Sequence, residues 1–156
     1  MVVVDSSVLI HLARIGRLEL LRKYFSKIKI TPSVLKETTE EERIGSAEIK
    51  KSVSKWIIVE SARGENIEGL EKADTELIAL AENHGDVLLT NDLAIISICK
   101  SKGIKTMWLT AFLLALLRDD YINKKEAKEI LHDLVQSGMR LSIEVYAAIE
   151  KEIESH

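Results

Sequence analysis

Cysteine is almost missing from this chain of 156 residues, with Cys99 standing alone. One thiol supplies neither an internal disulfide nor a four-cysteine zinc site. It follows the apolar run Leu93-Ala94-Ile95-Ile96-Ser97-Ile98, where a small buried hydrophobe is the expected role. Proline also occurs once, and hydrophobic residues make up 46%, a balance that fits an ordered globular protein and excludes a disordered one. Positive charge is not in excess: 22 basic residues face 25 acidic ones, for a net charge of −3. No global field therefore recruits a polyanion, and any such partner must be held locally, by a basic patch or by metal ions. The longest apolar run, Ala111 to Leu117, is far too short to cross a bilayer. With no apolar leader visible at the start, a cytoplasmic protein away from the membrane is expected.

Several signatures are missing too. There is no G-x-G-x-x-G and no P-loop, which argues against dinucleotide and NTP binding. A phosphatase of the D-x-D type needs an acid where Ser7 stands, and a receiver domain wants paired acids where Ser6 stands. His11, His84, His132 and His156 show no metal-ligand spacing and read as ordinary helix or tail residues. The lysines at 100, 102, 105, 124, 125 and 128 read as solvated faces.

What is present begins with Met1-Val2-Val3-Val4-Asp5-Ser6-Ser7. Three consecutive valines without alternation predict a strand buried on both faces. Asp5 ends it, and an amphipathic helix follows. In open parallel sheets the carboxyl ends of the strands form the ligand crevice, so this carboxylate is placed for chemistry. Taken singly it is equally a helix N-cap; the case turns on whether other acids arrive at the same place.

Further strands are predicted over Lys27–Ile30, Trp56–Val59, Val87–Thr90 and Ile104–Trp108. Helical period predicts helices over Val8–Ile15, Arg17–Phe25, from Pro32, Ser46–Lys55, Leu70–His84 and Ile95–Lys102. Ser61 to Gly69 reads as a loop. Strands alternating with helices imply an α/β fold whose parallel sheet is wound by right-handed crossovers. The remainder is helical: Ala111–Arg118 with Thr110 as its cap, Lys124–Gln136 behind an Asn123/Glu126 capping box, and Ser142–Glu154. The length suits one domain, read as residues 1–118 with a helical C-terminal extension, 119–156, packed on it.

Asp92 repeats the pattern of Asp5: apolar strand, acid, helix. If the two strands are neighbours, both carboxylates meet at one sheet edge. Asp74 and Glu76 open the helix that feeds the Asp92 strand, and Glu37 lies one turn into the helix after the second strand. Two carboxylates about 4 Å apart repel by roughly 4 kcal/mol at an effective dielectric near 20. Acids gathered that closely call for a cation, and oxygen-only ligands favour Mg²⁺ or Mn²⁺ over zinc. Such ions serve phosphoryl chemistry.

Val-Val-Val-Asp5-Ser6-Ser7-Val-Leu-Ile, Thr31-Pro32-Ser-Val34-Leu-Lys-Glu37, Asp74-Thr-Glu-Leu-Ile-Ala-Leu-Ala81 and Leu88-Leu89-Thr90-Asn-Asp92 together resemble the motifs of PIN-domain nucleases, in that family's order. The resemblance covers residues 1 to about 110. It implies a PIN-like three-layer domain and a metal-dependent endoribonuclease, similar to the VapC-type toxins of toxin–antitoxin pairs. By it, Asp5, Glu37, Asp74 and Asp92 are the catalytic, metal-holding acids, supported by Ser7, Thr90 and Glu76. Mg²⁺ or Mn²⁺ is the implied cofactor. The implied partners are single-stranded RNA, a small antitoxin protein and a second copy of the chain as a homodimer. Two departures stand out: acids occur at both 74 and 76, and Leu93-Ala94-Ile95 is apolar where many members carry another acid. Two other readings remain, a non-catalytic PIN-like module that binds RNA or protein, and an RNA-maturation nuclease.

Overall fold

The computed structural model describes residues 1–156. Five short strands, β1 (Val2–Val4), β2 (Ile28–Ile30), β3 (Ile57–Val59), β4 (Val87–Leu89) and β5 (Thr106–Met107), form one sheet in the order β3-β2-β1-β4-β5. Every pairing is parallel. The three valines of β1 lie at the centre and are fully buried, which is why that strand shows no polar alternation. The strands are a little shorter than the apolar runs suggest. Flanking residues still bond across the ladder: the Trp56 carbonyl accepts the Ile28 N–H, and the Thr90 N–H donates to the Met107 carbonyl.

Between the strands run α1 (Ser6–Arg14), α2 (Glu19–Phe25), α3 (Pro32–Thr39), α4 (Ser46–Ser52), α5 (Lys72–His84) and α6 (Leu93–Lys102). From β1 the chain steps outward in one direction through β2 to β3, then returns across the sheet to β4 and β5. Right-handed crossovers then place α1 to α4 on one face and α5 and α6 on the other. The chain leaves the adjacent strands β1 and β4 toward opposite faces, and that divergence opens a crevice at their carboxyl ends.

Three more helices, α7 (Leu109–Arg118), α8 (Lys124–Gln136) and α9 (Ile143–Ser155), close the chain. They pack on one another and share the central core, since Ile130, Leu134, Ile149 and Ile153 belong to the same buried cluster as Val3 and Leu88. Against α2, the Tyr24 hydroxyl donates to Asp119 Oδ2 at 2.7 Å, and its ring meets Phe112 edge-on at 5.6 Å. The start of α7 corrects the sequence expectation. Thr110 is inside the helix, Trp108 occupies the cap position without a side-chain bond, and the Leu109 N–H is accepted by Asn91 Oδ1 at 2.9 Å. Similarly α6 starts at Leu93, two residues early, because Asp92 Oδ1 caps the Ile95 N–H at 3.0 Å.

The loop before α5 depends on Gly64. A Cβ there would stand 2.4 Å from the Thr75 carbonyl carbon, so the loop lies directly on the helix turn that carries Asp74. Gly64→Ala must push that turn aside, and a chemical melt is expected to show a loss of about 1–3 kcal/mol. An unchanged melt would mean the loop moves freely.

Candidate functional site

The carboxyl ends of β1 and β4 are joined by one buried hydroxyl. Asp5 caps α1, its Oδ1 accepting the Ser6 N–H at 2.7 Å. Its Oδ2 accepts the Thr90 hydroxyl, also at 2.7 Å. Thr90 Oγ1 in turn accepts the Asp92 N–H at 3.1 Å, and Thr90 has no exposed surface. A single threonine thus sets the positions of two acids that are 87 residues apart in sequence, as 92 − 5 gives. On α5, Asp74 Oδ2 accepts the Glu71 N–H at 3.4 Å. Glu37 stands exposed on α3.

Asp5, Glu37, Asp74 and Asp92 all line one cavity of about 550 Å³, and Ser7 lines it with them. Glu76 lies outside that lining. It accepts the Ser33 hydroxyl at 3.2 Å, which turns it toward α3, and pairs at 3.9 Å with the exposed Lys72 one turn back on α5. Asp74 and Glu76 are two residues apart on a helix, so only one can face a given direction.

Burial pushes the Asp5 carboxyl above its usual range. The Thr90 and Ser6 donors pull the other way, while the charges of Asp74 and Asp92 add to the rise. Burial also raises Asp74, opposed by the Glu71 N–H and assisted by Asp92, Glu71 and Glu37. The acids therefore act on one another electrostatically. No three Asp, Glu, His or Cys side chains stand close enough to hold a metal unaided; Asp5, Asp74 and Asp92 each have an oxygen engaged by a backbone N–H. The donor set itself, all carboxylate and hydroxyl oxygen, is of the kind that Mg²⁺ or Mn²⁺ takes.

Sequence reading missed several residues of this wall. His11 lines the cavity, one helical turn beyond Ser7. Its Nδ1 is buried without a hydrogen-bond partner, and burial, with Arg14 adding, lowers its affinity for a proton. Asn91, Glu71 and the Gly138-Met139-Arg140 turn also contribute. The helical period of α1 could have placed His11 on the Ser7 face; the others arrive through tertiary contacts.

A family model described as a PIN domain (DUF3368) matches residues 1–155. The chain belongs to the PIN-domain family. The match extends over the C-terminal helices as well. The fold has a solved counterpart in a PilT N-terminus domain protein of the archaeon Sulfolobus solfataricus P2. The two share 18% identity and a TM-score of 0.55, over 75% of this chain and 94% of that one. At that identity the likeness speaks for the PIN fold alone. Comparison with curated protein sequences finds no match. PIN domains are commonly nucleases, and the acids described above occupy the crevice end of this one.

Proposed function

We propose that this PIN domain is an endoribonuclease that hydrolyses RNA phosphodiester bonds with Mg²⁺ or Mn²⁺ held by Asp5, Asp74, Asp92 and Glu37. One observation carries the reading: four carboxylates from four separate segments open onto one cavity at the strand switch point. Divalent ions bound there would neutralise charge and lower the pKa of a water, so that its deprotonated form is available as the nucleophile toward phosphorus. The chain's own part is to aim the ligands. Thr90 and the Ser6 N–H fix Asp5, Ile95 N–H and Thr90 fix Asp92, and the first turn of α5 presents Asp74. Ser7 adds a hydroxyl at the cavity wall. By family resemblance the products carry a 5′-phosphate and a 3′-hydroxyl, and single-stranded RNA is the substrate.

The test is an RNA panel incubated with Mn²⁺, Mg²⁺ or excess EDTA. Fragments with 5′-phosphate ends that appear only with metal support the reading. RNA that stays whole in every condition, while still binding, favours the non-catalytic module; the lack of a finished three-ligand cage is the observation on that side. A toxin role, with a small antitoxin protein as partner and a homodimer as assembly, extends the same proposal. An adjacent reading frame for an antitoxin-like protein supports the toxin over an RNA-maturation enzyme.

The third acid is checked separately. Asp74→Asn is expected to lower cleavage by about 100-fold or more, because it removes a charged ligand. Glu76→Gln is expected to stay within about threefold of wild type, since its carboxylate accepts from Ser33 and does not line the cavity, and its exposed pair with Lys72 is worth little. Equal losses would reassign the ligand or give Glu76 an orienting part.

A further inference from the structure

Two long-range contacts bring the turn between α8 and α9 to the acidic cavity. Arg14 on α1 donates from Nη1 to the Ser137 carbonyl at 3.3 Å. Asn91, beyond β4, points Nδ2 at Met139 Sδ at 3.8 Å, and Met139 is buried. Gly138 between them has φ +115°, and a Cβ there would lie 3.8 Å from Arg14 Nη1, an ordinary contact with the tip of that side chain. Held in this way, Gly138, Met139 and Arg140 line the same cavity as the acids.

Arg140 is exposed and is the cavity's one Lys or Arg side chain, beside five carboxylates, Asp5, Glu37, Glu71, Asp74 and Asp92. It forms an ion pair with none of them; the salt bridges of this molecule all involve other residues. A permanent cation left unpaired in an acidic cavity is available to an incoming anion. The guanidinium fork matches the geometry of a phosphate, which it binds through two parallel N–H donors. Because the chain carries a net charge of −3, an RNA backbone gains no help from the surface as a whole. The strand must then be held locally, and Arg140 is a cation placed at the cavity to do so.

We propose that Arg140 is a substrate-positioning residue that grips an RNA backbone phosphate at the mouth of the acidic cavity, and that the C-terminal helices serve to deliver it there. The choice of RNA as the anion rests on the nuclease reading above; the availability of Arg140 does not. The phosphate it grips is a neighbour of the one being cleaved. Arg140 aligns the strand while the carboxylates act on the reacting bond.

The test measures binding and cleavage separately, in the full-length chain. Binding of a fluorescent single-stranded RNA dodecamer is followed by anisotropy in Ca²⁺ across a salt series, and cleavage of the same RNA is followed in Mn²⁺. Arg140→Ala is expected to weaken binding about tenfold and to flatten the slope of log K against log salt by about 0.7, the value for one phosphate contact to a single strand. In cleavage, KM rises while kcat changes little. Arg140→Lys restores the salt slope but only part of the affinity, since the charge remains and the fork is lost. Lys125→Ala, on the exposed face of α8, leaves both unchanged. Binding, salt slope and KM of Arg140→Ala equal to wild type overturn the proposal, as does a slope that falls for Lys125→Ala instead. If wild type binds RNA through Arg140 yet cleaves nothing with any metal, the nuclease reading falls and the positioning role stands. If wild type cleaves and Arg140→Ala matches it, the reverse holds. RNA that neither binds nor is cut overturns both.

Discussion

Asp5→Asn is expected to reduce RNA cleavage by about 1,000-fold or more while leaving the protein folded. The loss corresponds to roughly 4 kcal/mol of barrier, the scale of one charged ligand taken from a metal that stabilises a developing oxyanion. Folding survives because asparagine caps a helix as well as aspartate does. Its amide oxygen still accepts the Ser6 N–H or the Thr90 hydroxyl, the two donors that now meet Asp5 at 2.7 Å. Circular dichroism and a cleavage time course, run together, decide the point. Wild-type turnover by a well-folded Asp5→Asn protein would show that Asp5 is only a cap.

The second large effect concerns stability and needs no substrate. Burial and mutual repulsion raise the Asp5 and Asp74 carboxyls above their ordinary value of 3.8. For an acid raised on folding, the ionised form is disfavoured in the native state. Stability from such a group is fully present below the ordinary carboxylate value and is lost as pH rises through the folded one. Without metal, the protein is therefore expected to gain thermal stability as pH falls from neutral toward that range. Asp92→Asn relieves a charge that raises both acids, and keeps a good cap for the Ile95 N–H. Its metal-free melting temperature at neutral pH should exceed that of wild type. Mn²⁺ at about 100 times its dissociation constant adds roughly 2.7 kcal/mol to a protein that binds it only when folded. Wild type should show that gain and Asp92→Asn much less of it, with the exposed Asp133→Asn on α8 behaving as wild type. Equal Mn²⁺ shifts in all three place the ion elsewhere.

Much of this architecture is legible in the sequence because its signals are local. The valines of β1 are a run of three, Asp5 and Asp92 each stand directly between strand and helix, and Thr31-Pro32 marks the helix that carries Glu37. Helical direction says that only one of Asp74 and Glu76 can face the cavity; which one does is seen only in the fold, where Asp74 lines it and Glu76 does not. What the sequence hides is whatever depends on contacts between distant segments. Thr90 reaches Asp5 across 85 positions, and the acceptor for the first N–H of α7 is Asn91, 18 positions back. A local reading assigned that cap to Thr110, the nearest hydroxyl. Arg140 was invisible for the same reason: nothing near it in the chain says that Arg14 and Asn91 draw its turn to the acids.

The proposed function requires a divalent ion at the four carboxylates for RNA cleavage. The most direct measurement is one Mn²⁺ titration read in two ways, with bound ion counted by electron paramagnetic resonance and cleavage rate followed on the same samples. The predicted result is that occupancy and rate rise together with one midpoint, and that Asp92→Asn shifts both to much higher Mn²⁺. Cleavage that persists in excess EDTA, or full occupancy in wild type and Asp92→Asn alike with no relation to rate, would contradict it.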